Sequence, residues 1–186
     1  MTAGYYPQNI VFRYTMGIAS AVLVLIFNTI YRWINTRAEG VGYPTMNRGI
    51  YYIIMASMVA YCVAIETIDG EGEGPLHTPS ALIFFIVWEI AIVYITFYLY
   101  ELSEWDSSII SARSMRLKSL LAIYVSLVWI YCLYGNYGKN SLDYTVIVEW
   151  NAVFVNLLWC LSFSLEWKEI KLSLVCENKG GAILMQ

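Results

Sequence analysis

Three polar side chains interrupt the most apolar stretches of this sequence and could do chemistry there. Glu89 lies near the middle of one apolar run, and Asn28 and Asn156 lie inside two others. A carboxyl group in a low-dielectric environment favours its neutral form, which suits a proton relay or a hydrogen bond to a lipid headgroup. Alternatively, Glu89 bonds to one of the two amides and holds helices together, a contact worth ~0.6–2 kcal/mol in membranes. We take Glu89, Asn28 and Asn156 as a candidate intramembrane polar site with both interpretations open.

Little else in the sequence indicates catalysis. His77, the single histidine, precedes the third apolar run, where a histidine more often caps a helix than acts as a catalyst. No serine or cysteine nucleophile has a recognisable motif beside a base, and there is no glycine-rich phosphate loop. The four cysteines form neither a CxxC motif nor a Cys/His pair at metal spacing. We expect no catalytic residue set, no metal, no cofactor and no nucleic-acid partner.

The composition is that of a polytopic membrane protein. Hydrophobic residues make up 59% of the 186 residues and charged residues 13%, and the mean hydropathy is +0.58. Each apolar run is about 18–24 residues long, enough for a helix to cross ~30 Å of hydrocarbon. The runs cover residues 11–34, 49–68, 80–100, 117–134 and 146–167. The sequence therefore predicts an all-α bundle of five spans in a single domain, 1–186, with a tail at 168–186.

The distribution of basic residues predicts the orientation. Of the eleven basic residues, nine lie close to or beyond the ends of the first, third and fifth runs. They are Arg32, Arg37, Arg48, Arg113, Arg116, Lys118, Lys168, Lys171 and Lys179. By the positive-inside rule, the C-terminus is cytoplasmic and the N-terminus is lumenal or extracellular. We expect Arg113, Arg116 and Lys118 to be cytoplasmic contacts to anionic lipid, at about 1 kcal/mol per charge.

Two short motifs resemble those of a known family. His77, Ala81 and Phe84-Phe85 match the His-x-x-x-Ala-x-x-Phe-Phe pattern of the FRAG1/DRAM/Sfk1 membrane proteins. The last run opens with Glu149-Trp150 and closes with Ser162-Phe163 and Glu166-Trp167, which is similar to the DRAM-type ending. The basic stretch 113–118 also fits. The resemblance covers roughly residues 11–174, and His77, Glu149 and Trp150 are carried over as motif positions only.

The resemblance implies a topology and a range of roles. Members of the family usually have six spans and two cytoplasmic termini, so this chain would correspond to spans two to six, without the first span and its outer loop. Members include regulators of autophagy at lysosomes, a factor in GPI-anchor lipid remodelling, and plasma-membrane adaptors for phosphoinositide kinase complexes. The resemblance therefore favours a lysosomal, endosomal or plasma-membrane location.

Three functional hypotheses follow. The first is a non-enzymatic multi-pass protein that scaffolds or regulates a membrane-associated assembly, in contact with lipids and other membrane-protein subunits. The second is a lipid-remodelling enzyme or cofactor that uses a pocket with Glu89 and His77. The third is a small channel or transporter subunit in which Glu89, Asn28 and Asn156 line one water-filled path.

Overall fold

Helices account for most of the described structure. The computed structural model describes residues 8–66, 68–69, 72–73, 76–135, 142–167, 175–178 and 181–184. Within these ranges lie five α-helices: α1 (Gln8–Gly40), α2 (Arg48–Glu66), α3 (His77–Trp105), α4 (Ala112–Gly135) and α5 (Leu142–Leu161). A short 3-10 turn, Ser162–Leu165, continues α5. The expected helical bundle is confirmed, and several helices extend a few residues beyond the predicted apolar runs.

Four of the helices are long and apolar enough to cross a membrane. Their apolar parts are Arg13–Gly40, Arg48–Glu66, Pro79–Trp105 and Ala112–Tyr131. The fifth helix contributes a shorter apolar segment, Trp150–Leu165, among the residues whose side chains are described. The protein is therefore an integral membrane protein whose helices contact lipid.

Helix α3 is the most enclosed of these four spans. In its most apolar stretch 44% of the residues are buried, against 17% in α1 and 28% in α2 and α4. It packs against α2 on one side and α4 on the other, and α4 packs against α5. Phe84, Trp88, Ile95 and Leu99 place α3 in the main apolar core.

Two loops meet at one end of the bundle. The Trp105 indole N–H donates to the Val41 carbonyl (3.1 Å), and the Tyr43 hydroxyl donates to Glu101 Oε2 (2.9 Å). Helix α1 ends there in a turn that needs Gly42, which has a φ of 72°. We call this end, formed by residues 41–47, 106–111 and Ser162–Leu165, the basic end. Five of the arginines counted above lie in or beside its loops.

The loop after α3 is fixed by its own side chains. Asp106 accepts a hydrogen bond from the Ser108 backbone N–H at 2.8 Å. That bond lowers the pKa of the Asp106 carboxyl from its ordinary value, because it favours the charged form. The turn sets the position at which α4 begins.

Two small antiparallel hairpins complete the described structure. Strand β1 (Ile68–Asp69) pairs with β2 (Gly72–Glu73), between α2 and α3. Strand β3 (Val175–Asn178) pairs with β4 (Gly181–Leu184). The second hairpin lies in the region that the sequence predicts only as a tail, since a short strand pair gives no apolar run to detect.

Candidate functional site

A buried ion pair lies at the basic end of the bundle. Lys118 Nζ of α4 is 2.9 Å from Glu166 Oε2, and the two side chains are 0% and 6% exposed. Lys118 is in the second turn of α4, and Glu166 directly follows the 3-10 turn. An unpaired charge at such a position would cost several kcal/mol. The pairing explains how the helix tolerates a lysine here.

All three protons of the Lys118 ammonium group have acceptors. Besides Glu166, Nζ donates to Ser114 Oγ at 2.8 Å and to the Ser162 carbonyl at 3.2 Å. Ser114 lies one turn before Lys118 on the same face of α4. The Ser162 carbonyl is available because carbonyls in the last turn of a helix lack intrahelical partners. The charge is thus fully satisfied within the protein.

Aromatic rings enclose the ion pair. Lys118 Nζ lies 4.4 Å from the centroid of the Phe163 ring, a cation–π geometry. Around Phe163 stand Trp159 (5.1 Å), Trp167 (6.0 Å) and Trp33 of α1 (6.1 Å), as distances between ring centroids. This cluster, which we call the lysine pocket (Lys118, Glu166, Ser114, Phe163 and the three tryptophans), joins α1, α4 and α5.

The deep carboxyl of α3 has a different partner. Ser126 of α4 donates to Glu89 Oε1 at 2.5 Å, while Glu89 Oε2 is buried without a hydrogen-bond partner in the described structure. Nearby, the Trp159 indole N–H donates to Thr96 Oγ1 at 3.0 Å and ties α5 to α3. Side-chain hydrogen bonds therefore connect α3 to both α4 and α5 within the apolar layer.

The three predicted intramembrane residues do not form one hydrogen-bonded cluster. Asn28 Oδ1 accepts from the Tyr51 hydroxyl at 3.2 Å, which links α1 to α2. Asn156 is 6% exposed, and its Oδ1 has no partner among the described residues. Glu89 bonds to Ser126 rather than to either amide. The three polar side chains therefore lie in separate hydrogen-bonding environments.

The predicted basic contacts divide into two kinds. Arg113 and Arg116 are exposed. Lys118 does not lie where the sequence predicts, because it is fully buried and its charge is directed at Glu166 instead of a lipid leaflet. Among the side chains that the structure describes, no group of three His, Cys, Asp or Glu could hold a metal ion.

The family comparison agrees with the helical architecture. The Frag1 family model, described as the Frag1/DRAM/Sfk1/Cwh43P N-terminal domain, matches residues 1–170. The chain belongs to the Frag1/DRAM/Sfk1/Cwh43P family. No curated protein and no solved structure matches it significantly. The resemblance inferred from the two short motifs is confirmed.

The motif positions of this Frag1-family chain have different surroundings. His77 begins α3 and Glu149 lies in α5, but their side chains are outside the described part of the structure. Trp150 is 59% exposed. Phe84 is buried and packs on Tyr61 with ring centroids 4.4 Å apart. The opening motif thus contributes to the α2–α3 interface.

The closing motif builds the lysine pocket. Phe163 and Glu166 contact Lys118, Ser162 contributes its carbonyl, and Trp167 packs on Phe163. The sequence did contain a signal for this pairing. A lysine one turn after a serine, and a glutamate at the end of the last run, fall at the same end of the bundle in the charge-derived topology.

Proposed function

We propose that this chain is a non-enzymatic multi-pass membrane protein that scaffolds or regulates a membrane-associated assembly. It does so by packing the first half of α1 against a transmembrane helix of a partner subunit. Lysosomal or endosomal autophagy and phosphoinositide-linked processes at the plasma membrane are the settings that the motif resemblance favours. The whole chain acts as one transmembrane domain, 1–186.

The observation that carries the proposal is the exposure of α1 on one side of the bundle. Its second half contributes a buried face to the core, with Phe27, Ile30 and Ile34 at most 2% exposed. Its first half carries a row of exposed residues at the 4-3-4 spacing of a helix-packing seam. We call this row the α1 seam: Tyr14, Ile18, Ala21 and Leu25. The three large members are 65–72% exposed.

Small residues make the α1 seam suited to another helix. Gly17, which flanks the seam one turn before Ala21, is exposed, as is Ala21 itself. A Cβ atom added at Gly17 would meet nothing within 4 Å. Gly within a helix costs about 1 kcal/mol relative to Ala, and small residues at this spacing let a second backbone approach closely in membranes. A helix face that contacts only lipid does not need two small residues at this spacing.

The charge pattern supports five spans with the basic end in the cytoplasm. Loops 41–47 and 106–111 lie together at that end, and exposed Arg113 and Arg116 stand beside them. Positively charged loops are retained on the cytoplasmic side. The N-terminus would then be lumenal or extracellular, and residues 168–186 would form a cytoplasmic tail.

The intramembrane polar residues have a structural role in this proposal. The Ser126–Glu89 hydrogen bond fastens α4 to α3, and the Tyr51–Asn28 bond fastens α2 to α1. Helix α5 is fastened to α3 by the Trp159–Thr96 hydrogen bond, whereas the buried Asn156 Oδ1 accepts no hydrogen bond from a described residue. These bonds keep the bundle rigid so that the α1 seam is presented in a fixed direction.

A matched pair of variants tests the proposal. Ala21→Leu fills the α1 seam, while Ala56→Leu makes the same change at an exposed position of α2. The tagged chain is extracted from its native membrane in mild detergent, and its particle mass and co-purifying proteins are measured. We expect a stoichiometric membrane-protein partner with the wild type and with Ala56→Leu, and its loss with Ala21→Leu. A monomeric wild type, or equal retention by both variants, would contradict the proposal.

A further inference from the structure

A groove runs between α3 and α4 on the outside of the bundle. Two adjoining cavities, of about 370 and 600 Å³, share the lining residues Tyr100, Ser119 and Ile123. Because they share walls, they form one continuous slot, which we call the α3–α4 groove. None of its lining residues belongs to the α1 seam or to the lysine pocket.

The part of the groove beyond the Arg116 charge matches the length of one leaflet. The lining on α4 begins at Ala112, and the part beyond that charge extends from Arg116 in the second cavity to Leu127 in the first. These positions are separated by eleven residues (127 − 116), or about 16 Å at ~1.5 Å per residue. The hydrocarbon core of a bilayer is ~30 Å thick, so this part of the groove covers about half of it. This is the length of an acyl chain that enters from the basic end.

The polarity of the groove changes along its length. The first cavity, which reaches Leu127 and which we call the deep cavity, is mostly apolar. Its walls include the exposed Phe97, Ile123 and Leu127, and the small, buried Ala122 lies between them. The second cavity, at the Arg116 end, is the shallow cavity. The shallow cavity adds Ser103, Glu104 and Arg116. A chain-like apolar ligand with a polar head fits this gradient.

The shallow end of the groove, where a lipid headgroup would lie, carries one positive and one negative side chain. Arg116 and Glu104 are exposed, and neither forms an ion pair with another described residue. Lys118 lies close in sequence, but its charge is already taken up by Glu166. Guanidinium groups bind phosphate through paired hydrogen bonds, whereas a carboxylate attracts an ammonium group. A purely anionic headgroup would meet repulsion from Glu104.

We propose that the α3–α4 groove binds a glycerophospholipid with an amino headgroup. Its acyl chain lies along the deep cavity, its phosphate contacts Arg116, and its ammonium group contacts Glu104. The site does not depend on the partner helix at the α1 seam. Failure of either proposal therefore leaves the other standing.

Native mass spectrometry of the full chain with defined lipids tests the site. The probes are dioleoyl-phosphatidylethanolamine and dioleoyl-phosphatidylglycerol, which differ in the headgroup only. We expect one tightly held phosphatidylethanolamine, preferred over phosphatidylglycerol. Because Arg116→Gln removes a charge-assisted hydrogen bond to the phosphate, it should weaken binding roughly tenfold.

Two further variants separate the headgroup contacts from general surface charge. Arg113→Gln removes an exposed arginine that does not line the groove and should leave binding unchanged. Glu104→Gln should abolish the preference for phosphatidylethanolamine while phosphatidylglycerol still binds. Equal binding of the two lipids by the wild type would overturn the proposal, as would equal effects of Arg116→Gln and Arg113→Gln. All three residues are exposed, so the fold should be retained.

Discussion

Lys118 Nζ and Glu166 Oε2 lie 2.9 Å apart, in side chains that belong to different helical segments and are almost completely shielded. The pair is 48 residues apart in the sequence. It closes the basic end of the bundle, because the rings around it come from α1, α5 and the segment that follows α5. Either charge alone would be buried without a counter-ion, so the two stabilise the fold only as a pair.

Removal of one charge should therefore be severe. Lys118→Met leaves the Glu166 carboxylate buried without its partner, and we expect a loss of about 3–5 kcal/mol in the free energy of unfolding. The measurement is denaturant unfolding in detergent micelles. The double variant Lys118→Met with Glu166→Gln should recover much of the loss, because no charge is then left buried. A single variant as stable as the wild type would show that the pair has no structural role.

The Phe163 ring should contribute through both packing and the cation. Phe163 is 0% exposed, whereas Phe154, on α5, is 60% exposed. Phe163→Leu removes the cation–π contact and leaves a gap, so we expect a loss of about 2 kcal/mol. Phe154→Leu should change stability by less than ~0.5 kcal/mol. Equal thermal shifts for the two variants would be inconsistent with an enclosed Phe163 ring.

Glu89 and Ser126 should behave as a coupled pair. Ser126→Ala removes the only donor to Glu89 found in the described structure, and we expect a loss of ~0.6–2 kcal/mol. Glu89→Gln should cost less, because the amide oxygen can still accept from Ser126. Glu89→Leu and Ser126→Ala combined should cost less than the sum of the two single changes. Strict additivity in this double-mutant cycle would mean that the hydrogen bond does not stabilise the α3–α4 contact.

The two ends of the bundle should differ in accessibility. In a variant without native cysteines, Ser108→Cys reports on the basic end and Leu76→Cys on the opposite end, and both residues are exposed. A membrane-impermeant maleimide is applied to sealed vesicles of known sidedness. We expect Ser108→Cys to react only from the cytoplasmic side and Leu76→Cys only from the other side. The reverse pattern would contradict the orientation proposed from the positive loops.

Much of the bundle was predictable because the bilayer imposes a simple length rule. Each predicted run corresponds to one helix, although α1 continues to Gly40, six residues past the predicted end at 34. The difference arises because polar residues do not interrupt the backbone hydrogen bonds of a helix, and Asn35 gains a partner of its own when its Oδ1 accepts from the Met46 N–H at 2.7 Å. Helix α5, in contrast, is shorter than predicted. It ends at Leu161 and is followed by the 3-10 turn, before the predicted end at 167.

The polar partners were not predictable in the same way. Helices that are apolar all round give no sign of which face turns inward, so Glu89 could have met any amide at similar depth. Its actual partner is Ser126, a serine of α4 that no sequence motif distinguishes from the other serines of the chain. For Lys118 the sequence favoured the exterior, because lysines near span ends usually reach the interface. The buried position depends on Glu166 and the Ser162 carbonyl, which only the packing of α4 against the end of α5 brings together.

The central claim is that a partner helix occupies the α1 seam, and a crosslink from that seam tests it directly. A photo-crosslinking amino acid is placed at position 18 in living cells, with position 59 of α2 as the control, since Ile18 and Val59 are 66% and 65% exposed. We predict a discrete protein adduct from position 18 and none from position 59. Adducts with lipid alone at position 18, or the same protein adducts from both positions, would contradict the claim.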